Sequence, residues 1–230
     1  MDSILLKGVW EDIKSFLNVK RHEPFYNERE LQVKLASFLE QTKKYTHIYL
    51  EYYVPVKNNK KDVLLSDYQW NSEIRMDIVV NYEDSYIPVE LKYKTKKVRG
   101  CKISRFGEFI NDVDIIKNQS AQDIGRYDYW KDVRRIEVVN SHYDKVVGGI
   151  ALFLTNDPNY YKEKTRHSSF YNFRLTNDND GSKMSWDNNP KIKETHPDFQ
   201  LDKTYSPQWL NDKETKLPEG TRCFYCLVNK

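Results

Sequence analysis

The segments Arg75-Met76-Asp77-Ile78-Val79-Val80 and Pro88-Val89-Glu90-Leu91-Lys92-Tyr93-Lys94 decide how this chain folds. Both are rich in β-forming residues and a short polar stretch separates them, so together they predict a β-hairpin. Asp77 lies in the first arm, and Glu90 and Lys92 lie in the second. Charged residues inside runs that otherwise resemble buried strand break the local pattern, and such breaks tend to occur at functional sites.

The alternation of side chains along a strand brings these charged residues together. Glu90 and Lys92 are two residues apart and therefore share one face, whereas Leu91 points to the opposite face, into the core. If residues 83–84 form a two-residue turn, Asp77 lies opposite Glu90 on the same face as Lys92. This register is an assumption, because β-bulges are common beside active sites.

Composition and length bound the class of protein. The chain has 230 residues, of which 39% are hydrophobic and 31% charged, as expected of a globular protein with a proper core. The net charge is only +3, so a nucleic-acid footprint has to be local. Three cysteines argue against a disulfide framework, and the N-terminal segment resembles neither a signal peptide nor a membrane span. We therefore expect a cytoplasmic protein with no membrane partner.

Periodicity along the chain predicts an α/β fold. The predicted elements are a helix over 3–17, a helix from Asn27, a strand over 45–56, a loop over 57–72, hairpin arms over 74–81 and 86–94, a connection over 95–118, a helix over 119–139, a buried strand over 146–154 and a strand over 222–228. The strand–helix–strand unit places the 146–154 strand parallel to the Glu-x-Lys strand. The result is a mixed sheet flanked by helices.

Three segments follow from this order: an N-terminal helix and connection (1–26), a core (27–155) and a C-terminal extension (156–230), in a single compact domain. Asn27 is the predicted N-cap of the second helix, with Glu30 as its capping-box partner. The polar stretch 177–220 is too long for a structureless loop, so we expect a short hairpin or helix there, or a flexible insert.

The hairpin charges suit a metal site. Two neighbouring carboxylates repel each other, and a divalent cation removes that repulsion. Hard oxygen ligands, here Asp77, Glu90 and the carbonyl of Leu91, suit Mg²⁺ or Mn²⁺. Lys92 beside the cation orients or deprotonates a water. The pKa of Lys92 is expected to be lowered, because the cation and partial burial both disfavour its charged form. The matching reaction is metal-assisted hydrolysis of a phosphodiester bond.

A surface hairpin with cross-strand ion pairs is the competing interpretation, because Glu-x-Lys tripeptides are frequent in polar proteins. The surrounding elements favour the functional interpretation. Asp77 is spaced from Glu90 so that a two-residue turn brings the two side chains opposite each other, and Glu30 lies on the preceding helix.

With these residues the chain resembles the PD-(D/E)XK superfamily of restriction-endonuclease-like nucleases. The resemblance covers roughly residues 27–155 and implies an α-β-β-β-α-β core, a Mg²⁺ ion bound by Asp77 and Glu90, a water-assisting Lys92 and a completing Glu30. The stretches Asn27–Gln32, Glu90–Lys94 and Asp123–Trp130 are similar to those of an uncharacterised prokaryotic branch of that superfamily.

Two positions depart from the pattern or compete within it. Met76 stands where the family has proline, which the chemistry does not require. Glu28 competes with Glu30 for the helix position. We favour Glu30, because it lies near the apolar stripe of the helix, and we interpret Glu28 as an exposed first-turn carboxylate favoured by the helix dipole.

Some superfamily members place a glutamine on the helix after the lysine strand. Gln119 and Gln122 are both available here, and we prefer Gln122 as a catalytic candidate because it lies one turn before Arg126, beside the apolar stripe. An ordinary exposed helix glutamine explains either residue equally well.

A run of basic residues with no acid follows the hairpin. It extends from Leu91 to Gly107, and its members beyond Lys92 are predicted to contact a nucleic-acid backbone, with Arg126 extending the surface. These members are Lys94, Lys96, Lys97, Arg99, Lys102 and Arg105. A solvated run of charge is the alternative.

The leading hypothesis is a Mg²⁺-dependent nuclease, acting on DNA more than on RNA, either as an endonuclease or as an exonuclease. The second is a non-catalytic module that uses the nuclease fold to bind nucleic acid or a partner, and the third is an unrelated α/β protein. A homodimer is left open. Cys223 and Cys226 have CxxC spacing, but in a strand their sulfurs face opposite sides, so we interpret them as ordinary strand cysteines.

Overall fold

A computed structural model of the chain describes residues 2–20, 24–57, 63–119, 121–162, 168–187, 189–210 and 215–230. Four α-helices and eight strands occur in this part of the chain. The helices are α1 (Asp2–Leu17), α2 (Glu28–Gln41), α3 (Gln122–His142) and α4 (Pro190–Lys193). The strands are β1 (His47–Val54), β2 (Ile74–Tyr82), β3 (Ser85–Lys94), β4 (Cys101–Arg105), β5 (Glu108–Val113), β6 (Gly148–Thr155), β7 (Gln208–Trp209) and β8 (Arg222–Asn229).

Six of the strands form one mixed sheet in the order β1-β2-β3-β6-β8-β7. β1, β2 and β3 pair antiparallel as a meander, β6 lies parallel to β3, and β8 is antiparallel to β6. The predicted parallel pairing of the buried strand with the Glu-x-Lys strand is therefore confirmed. β8 also joins the C-terminal extension to the same sheet as the core.

The turn of the central hairpin is the predicted two-residue turn. Tyr82 pairs with Ser85, and the register continues to the pair Ile78–Val89. Glu83 adopts a left-handed conformation with φ of 52°, as a tight turn between two strands requires.

Helices cover both faces of the sheet, because β3 and β6 are apolar on both sides. One face packs against α1 and α2 through Val89, Leu91 and Leu152, among others. The opposite face packs against α3 and the C-terminal extension through Ala151, Phe153 and other residues. Continuous apolar strands are typical of a parallel pair buried between two layers of helix.

The connection over 95–118 is not the plain linker that we predicted. β4 and β5 form a separate two-stranded hairpin there, with Phe106 fully exposed and Phe109 largely exposed. Of β4 and β5, only Ile103 is buried. A hairpin that buries so little needs no alternation of polar and apolar residues, so the sequence pattern did not predict it.

The polar stretch 177–220 contains the short elements that its length predicted, namely α4 and β7. Trp186 is buried and donates a hydrogen bond from Nε1 to the carbonyl of His196. In the predicted loop over 57–72, residues 58–62 lie outside the described part of the chain, while Tyr68 and Trp70 pack in the core.

The three cysteines are free, and Cys223 and Cys226 lie in the cores on opposite faces of β8, as expected. Burial raises the pKa of both of these thiols, so they are unreactive structural residues. In the described part of the chain, no helix is long and apolar enough to cross a membrane.

Close packing between α3 and β6 requires a glycine at position 149. A Cβ atom there would lie 2.3 Å from Cγ2 of Ile136 and 3.0 Å from the carbonyl oxygen of Pro88. We expect Gly149→Ala to lower the free energy of unfolding by about 1–3 kcal/mol, measured by urea denaturation, because the helix has to move away from the sheet.

Gly8→Ala is the matched control, because Gly8 lies on the exposed side of α1 and a Cβ atom added there would meet no other atom within 4 Å. This substitution should raise stability by up to about 1 kcal/mol through helix propensity. A Gly149→Ala protein as stable as the wild type would contradict the proposed packing.

Candidate active site

β2 and β3 separate beyond the pair Ile78–Val89, and the charged residues gather at this separation. Asp77 and Glu90 come next in the register. In place of a ladder bond, the backbone N–H of Leu91 donates to Oδ2 of Asp77 at 2.6 Å. The carboxylate of Asp77 therefore lies between the two strands and satisfies a backbone group of β3.

A second carboxylate occupies the same gap from the helix side. Oε2 of Glu28, in the first turn of α2, accepts the backbone N–H of Tyr93 at 2.6 Å. Leu91 and Tyr93 are two residues apart, so their N–H groups point in the same direction along β3. Carboxylates from β2 and α2 thus replace the missing strand partner.

The strand alternation of β2 changes at Asp77. Ile74 and Met76 pack on the α3 face, whereas Ile78 and Val80 pack on the α1–α2 face. Neighbouring Glu51 on β1, level with Asp77 in the register, has φ of 50°. The local rotation of β2 brings the Asp77 carboxylate into the gap.

Gln32 of α2 holds this irregular geometry in place. Its Nε2 donates to the carbonyl of Asp77 at 2.6 Å and to Oε1 of Glu51 at 2.9 Å. Because Gln32 is 3% exposed, these hydrogen bonds form in a site with little competing water.

On the α3 face, Glu90 and Lys92 belong to a buried network of ion pairs. Nζ of Lys92 lies 2.6 Å from Oδ2 of Asp132, and Nη1 of Arg135 lies 3.2 Å from Oδ1 of the same carboxylate. Arg135 also approaches Oε1 of Glu90 at 3.8 Å. Glu90 and Asp132 are each 2% exposed, so this network links the Glu-x-Lys strand to the helix inside the protein.

Burial and mutual repulsion oppose ionisation of the carboxylates. Burial is the largest effect on the pKa of Asp77 and raises it. Lys92 and the Leu91 N–H lower this pKa, Asp132 and Glu28 raise it, and the net result is a pKa of about 6. Burial, Asp132 and Asp77 raise the pKa of Glu90 well above its usual value.

The site gathers more carboxyl groups than cations. Asp77, Glu90, Asp132 and Glu28 contribute four carboxyl groups, and Lys92 and Arg135 contribute two cations. Oε1 of Glu90 is buried and accepts no hydrogen bond. A bound cation would satisfy a buried oxygen without a hydrogen bond in a cluster whose carboxyl groups repel one another.

Among the described residues, no group of three or more His, Cys, Asp or Glu side chains is arranged to hold a metal ion. Mg²⁺ does not require such a group, because it commonly binds through one or two carboxylates and completes its shell with water and substrate phosphate. Asp77, Glu90 and the carbonyl of Leu91 are the oxygen ligands that the sequence predicts at this gap. The Leu91 carbonyl lies 3.3 Å from Nζ of Lys92, at the same gap.

Lys92 differs from our expectation of a lowered pKa. Burial acts to lower its pKa, but Asp132, Glu90, Glu28 and Asp77 together raise it above the usual value. Lys92 is therefore held as an ammonium ion, which favours orienting a water or stabilising negative charge over removing a proton.

The structure reverses our preference for Glu30 over Glu28. Oε2 of Glu30 accepts the N–H of Tyr26 at 2.6 Å, and its Oε1 pairs with Lys34, so Glu30 serves the start of α2. Asn27 is the N-cap, as predicted. Glu28 is not the exposed first-turn carboxylate that the sequence predicts, but the residue that reaches β3.

Neither candidate glutamine reaches the carboxylates. Nε2 of Gln122 donates to Asp157 at 2.7 Å, and Oε1 of Gln119 accepts the N–H of Thr95 at 3.1 Å. Gln122 lies at the first turn of α3, whereas Asp132 and Arg135 lie more than two turns later. Gln122 therefore lies too far along α3 from Asp132 and Arg135 to join the site, and the preference for it is wrong.

Arg126 is not part of a nucleic-acid surface. It is fully buried, its Nη atoms donate to the carbonyls of Gln122 and Asn159, and its guanidinium lies over the rings of Tyr160 and Phe170. Burial lowers its pKa to about 10. Arg126 joins α3 to the chain after β6.

The basic run is divided between the site and the β4–β5 hairpin. Lys94 is half-buried at the end of β3, Lys97 pairs with Asp114, and Arg105 lies over the ring of Tyr26. Lys96, Arg99 and Lys102 are exposed. The returning strand brings Glu108, Asp112 and Asp114 beside these cations, so the surface is less basic than the sequence of its first strand indicated.

Asp132 and Arg135 were missed because nothing in their own sequence neighbourhood distinguishes them. The available signal was spacing: Asp128 and Asp132 form an acidic i,i+4 pair on a helix that was predicted to cross the Glu-x-Lys strand. Asp128 is largely buried, and burial together with Asp132 raises its pKa. Acids on the inward face of such a helix have to meet a cation, which here is Lys92.

Comparisons with known proteins found no matching family model, no similar curated protein and no similar solved structure. The interpretation of this site therefore depends on its geometry and charge.

The raised pKa of Asp77 predicts a pH-dependent stability in the absence of divalent cations. Its folded pKa of about 6 exceeds the unfolded value, so the stabilisation present at low pH is lost as pH rises from about 4 to about 6. In EDTA, Asp77→Asn should therefore melt higher than the wild type above pH 6 and similarly near pH 4. The melting temperature is expected to change by roughly 2–4 °C for each kcal/mol of change in the free energy of unfolding.

Adding Mg²⁺ at pH 7.5 should raise the melting temperature of the wild type and have a smaller effect on Asp77→Asn, because a bound ion stabilises only the folded state. Asp67→Asn, at an exposed position outside the carboxylate cluster, is the control. Identical responses of all three proteins to Mg²⁺ would exclude Asp77 as a cation ligand.

Proposed function

We propose that this protein is a Mg²⁺-dependent nuclease of the PD-(D/E)XK type that hydrolyses phosphodiester bonds in DNA, with Mn²⁺ able to replace Mg²⁺. The observation that carries the proposal is the gap between β2 and β3, where the carboxyl groups of Asp77, Glu90 and Glu28 gather near the ammonium ion of Lys92. Apart from the inserted β4–β5 hairpin, the order α2-β1-β2-β3-α3-β6 supports it, because it agrees with the α-β-β-β-α-β order that the resemblance implies.

The cation would be held by Asp77, Glu90 and the Leu91 carbonyl. When bound, it supplies a water of lowered pKa and offsets negative charge on a phosphoryl oxygen. In the reaction, the attacking water gives up a proton to solvent and its oxygen forms a bond to phosphorus, while the bond to the leaving oxygen breaks and that oxygen takes up a proton from solvent.

Lys92 acts on this reaction as a fixed positive charge. Its ammonium group lies beside the Leu91 carbonyl, where it orients the attacking water and stabilises the charge that develops on the phosphate. Asp132 is a positioning residue, because its carboxylate holds the Lys92 ammonium at 2.6 Å. Arg135 forms an ion pair with Asp132. It also places a positive charge near Glu90, which otherwise lies beside the carboxyl groups of Asp77 and Asp132.

A non-catalytic module that binds nucleic acid or a protein partner is the second candidate. Two observations favour it: Lys92 is already paired with Asp132, and the described residues hold no cluster of three metal-binding side chains. The two candidates differ in one measurable respect, since only the nuclease breaks phosphodiester bonds.

With Mg²⁺ or Mn²⁺ the purified protein should nick or degrade DNA, and EDTA should stop the reaction. Asp77→Ala and Lys92→Ala should each lower the rate at least about a hundredfold, because each removes a group that acts on the transition state. Gel assays on duplex, single-stranded and RNA substrates measure both the rate and the substrate preference.

Lys7→Ala, at an exposed position of α1, should cleave at the wild-type rate. Circular dichroism has to show that the Asp77 and Lys92 variants are folded. Cleavage that persists in both folded variants would rule out this site, and a complete lack of cleavage by the wild type would favour the non-catalytic module.

A matched pair of substitutions separates the two glutamates of α2. Glu28→Gln should reduce cleavage about tenfold or more, because it removes a charge from the cluster and changes the group bonded to Tyr93. Glu30→Gln should leave the rate unchanged, since the glutamine side-chain oxygen can also accept the N–H of Tyr26. The Mg²⁺ dependence of kcat is the measurement, and a larger effect of Glu30→Gln would assign the helix position to Glu30 instead.

A further inference from the structure

A cavity of about 510 Å³ lies between β1 and the C-terminal end of α3. Four tyrosines line it, Tyr52 and Tyr53 from β1, Tyr86 from β3 and Tyr143 after α3, over a floor that includes Val79 and Val139. We call this the tyrosine cavity. Its volume is within the range of roughly 300–1,000 Å³ that is typical of small-molecule sites.

The chemistry of the tyrosine cavity suits a flat ring with polar edges. Tyrosine rings offer faces for stacking, and their hydroxyls donate and accept hydrogen bonds. The ring of Tyr49 lies 5.2 Å from that of Tyr52, centroid to centroid. Burial raises the pKa of Tyr52, and the phenols of Tyr86, Tyr49 and Tyr143 raise it further. Apolar walls with hydroxyls in a cluster match a heterocyclic base.

The tyrosine cavity adjoins the carboxylate site on the same side of the sheet. Pro88 lines the cavity and precedes Glu90 by two residues of β3, or about 7 Å, so the two residues share one face of the strand, and Glu90 approaches Arg135 of α3 on that face. Val139 follows Arg135 by one turn of α3, or about 6 Å. A polynucleotide bound with a phosphate at Asp77 and Glu90 therefore brings a neighbouring base to the cavity.

Lys145 and Arg75, two cations near the rim of the cavity, are each paired with an acid, and Asp144 also lines the cavity, so the rim does not select a phosphate. Lys145 bonds to Asp84 at 2.9 Å, and Arg75 pairs with Glu73 at 3.1 Å while it lies over the ring of Tyr53. Recognition in this cavity consequently depends on stacking, and not on electrostatic attraction.

We propose that the tyrosine cavity binds an unpaired nucleobase. The base comes from the substrate strand, an inference that rests on the proposed nuclease function, or from a free mononucleotide. Tyr52 and Tyr143 stack on the base from opposite elements. The site selects single-stranded or locally opened DNA, because a base within a duplex is not free to enter.

The test uses Asp77→Asn protein, which binds DNA without consuming it. Fluorescence anisotropy compares a short oligodeoxyadenylate with an abasic strand of equal length, and calorimetry measures deoxyadenosine monophosphate. Intact DNA should bind more tightly than abasic DNA. Tyr52→Ala or Tyr143→Ala should lower the ratio of these two affinities roughly tenfold. Because both tyrosines are 38% exposed, their replacement should leave the fold intact.

Two further variants sharpen the comparison. Val139→Phe fills the cavity and should also remove the preference for bases, whereas Tyr82→Ala, at an exposed position on β2 away from the cavity, should keep it. The base-dependent part of the affinity should change little with salt, since phosphate contacts contribute the salt-dependent part.

Each outcome decides the question. Base-dependent binding that the tyrosine variants abolish supports the proposal even if the wild type cleaves nothing, so failure of the nuclease proposal is distinguishable. Binding of the mononucleotide but not of the strand identifies the free nucleotide as the source. Equal binding of intact and abasic DNA by every variant overturns the proposal, as does a tyrosine variant that changes only the oligomeric state, which would assign this face to a second copy.

Discussion

The separation of β2 and β3 is the constraint on which the site depends. A β-ladder satisfies the backbone groups of both strands, and when two strands diverge those groups need other partners. Asp77 and Glu28 provide them for the N–H groups of Leu91 and Tyr93. The same gap therefore leaves backbone N–H groups that need carboxylates as acceptors, and it also provides the space in which those carboxylates lie close together.

Concentrating carboxylates has an energetic cost that the rest of the site offsets only in part. Taking charges out of water is unfavourable unless they are paired and hydrogen-bonded. Lys92 and Arg135 pair with Asp132, but Glu90 keeps an oxygen without a hydrogen bond. Such a partly balanced cluster is expected to be less stable than an apolar core of the same shape.

Helix α3 connects the site to the remainder of the fold. Its acidic and basic side chains meet β3, and its close contact with Gly149 sets its distance from the sheet. At its far end, Glu137 accepts hydrogen bonds from the backbone of Asp202 and from the hydroxyl of Tyr205, which ties the C-terminal extension to the helix. The position of Asp132 relative to Lys92 therefore depends on packing across the whole α3 face.

The sequence by itself determined the order of the main helices and strands without the β4–β5 hairpin, the two-residue turn, and the shared location of Asp77, Glu90 and Lys92. Period-two alternation and a short turn are local properties, so they can be read along the chain. Only the tertiary structure decided that Glu28 and not Glu30 reaches β3, that Asp132 and Arg135 complete the site, and that Arg126 is buried. These choices depend on how far a helix is rotated and shifted against the sheet, and packing between residues distant in sequence sets that geometry.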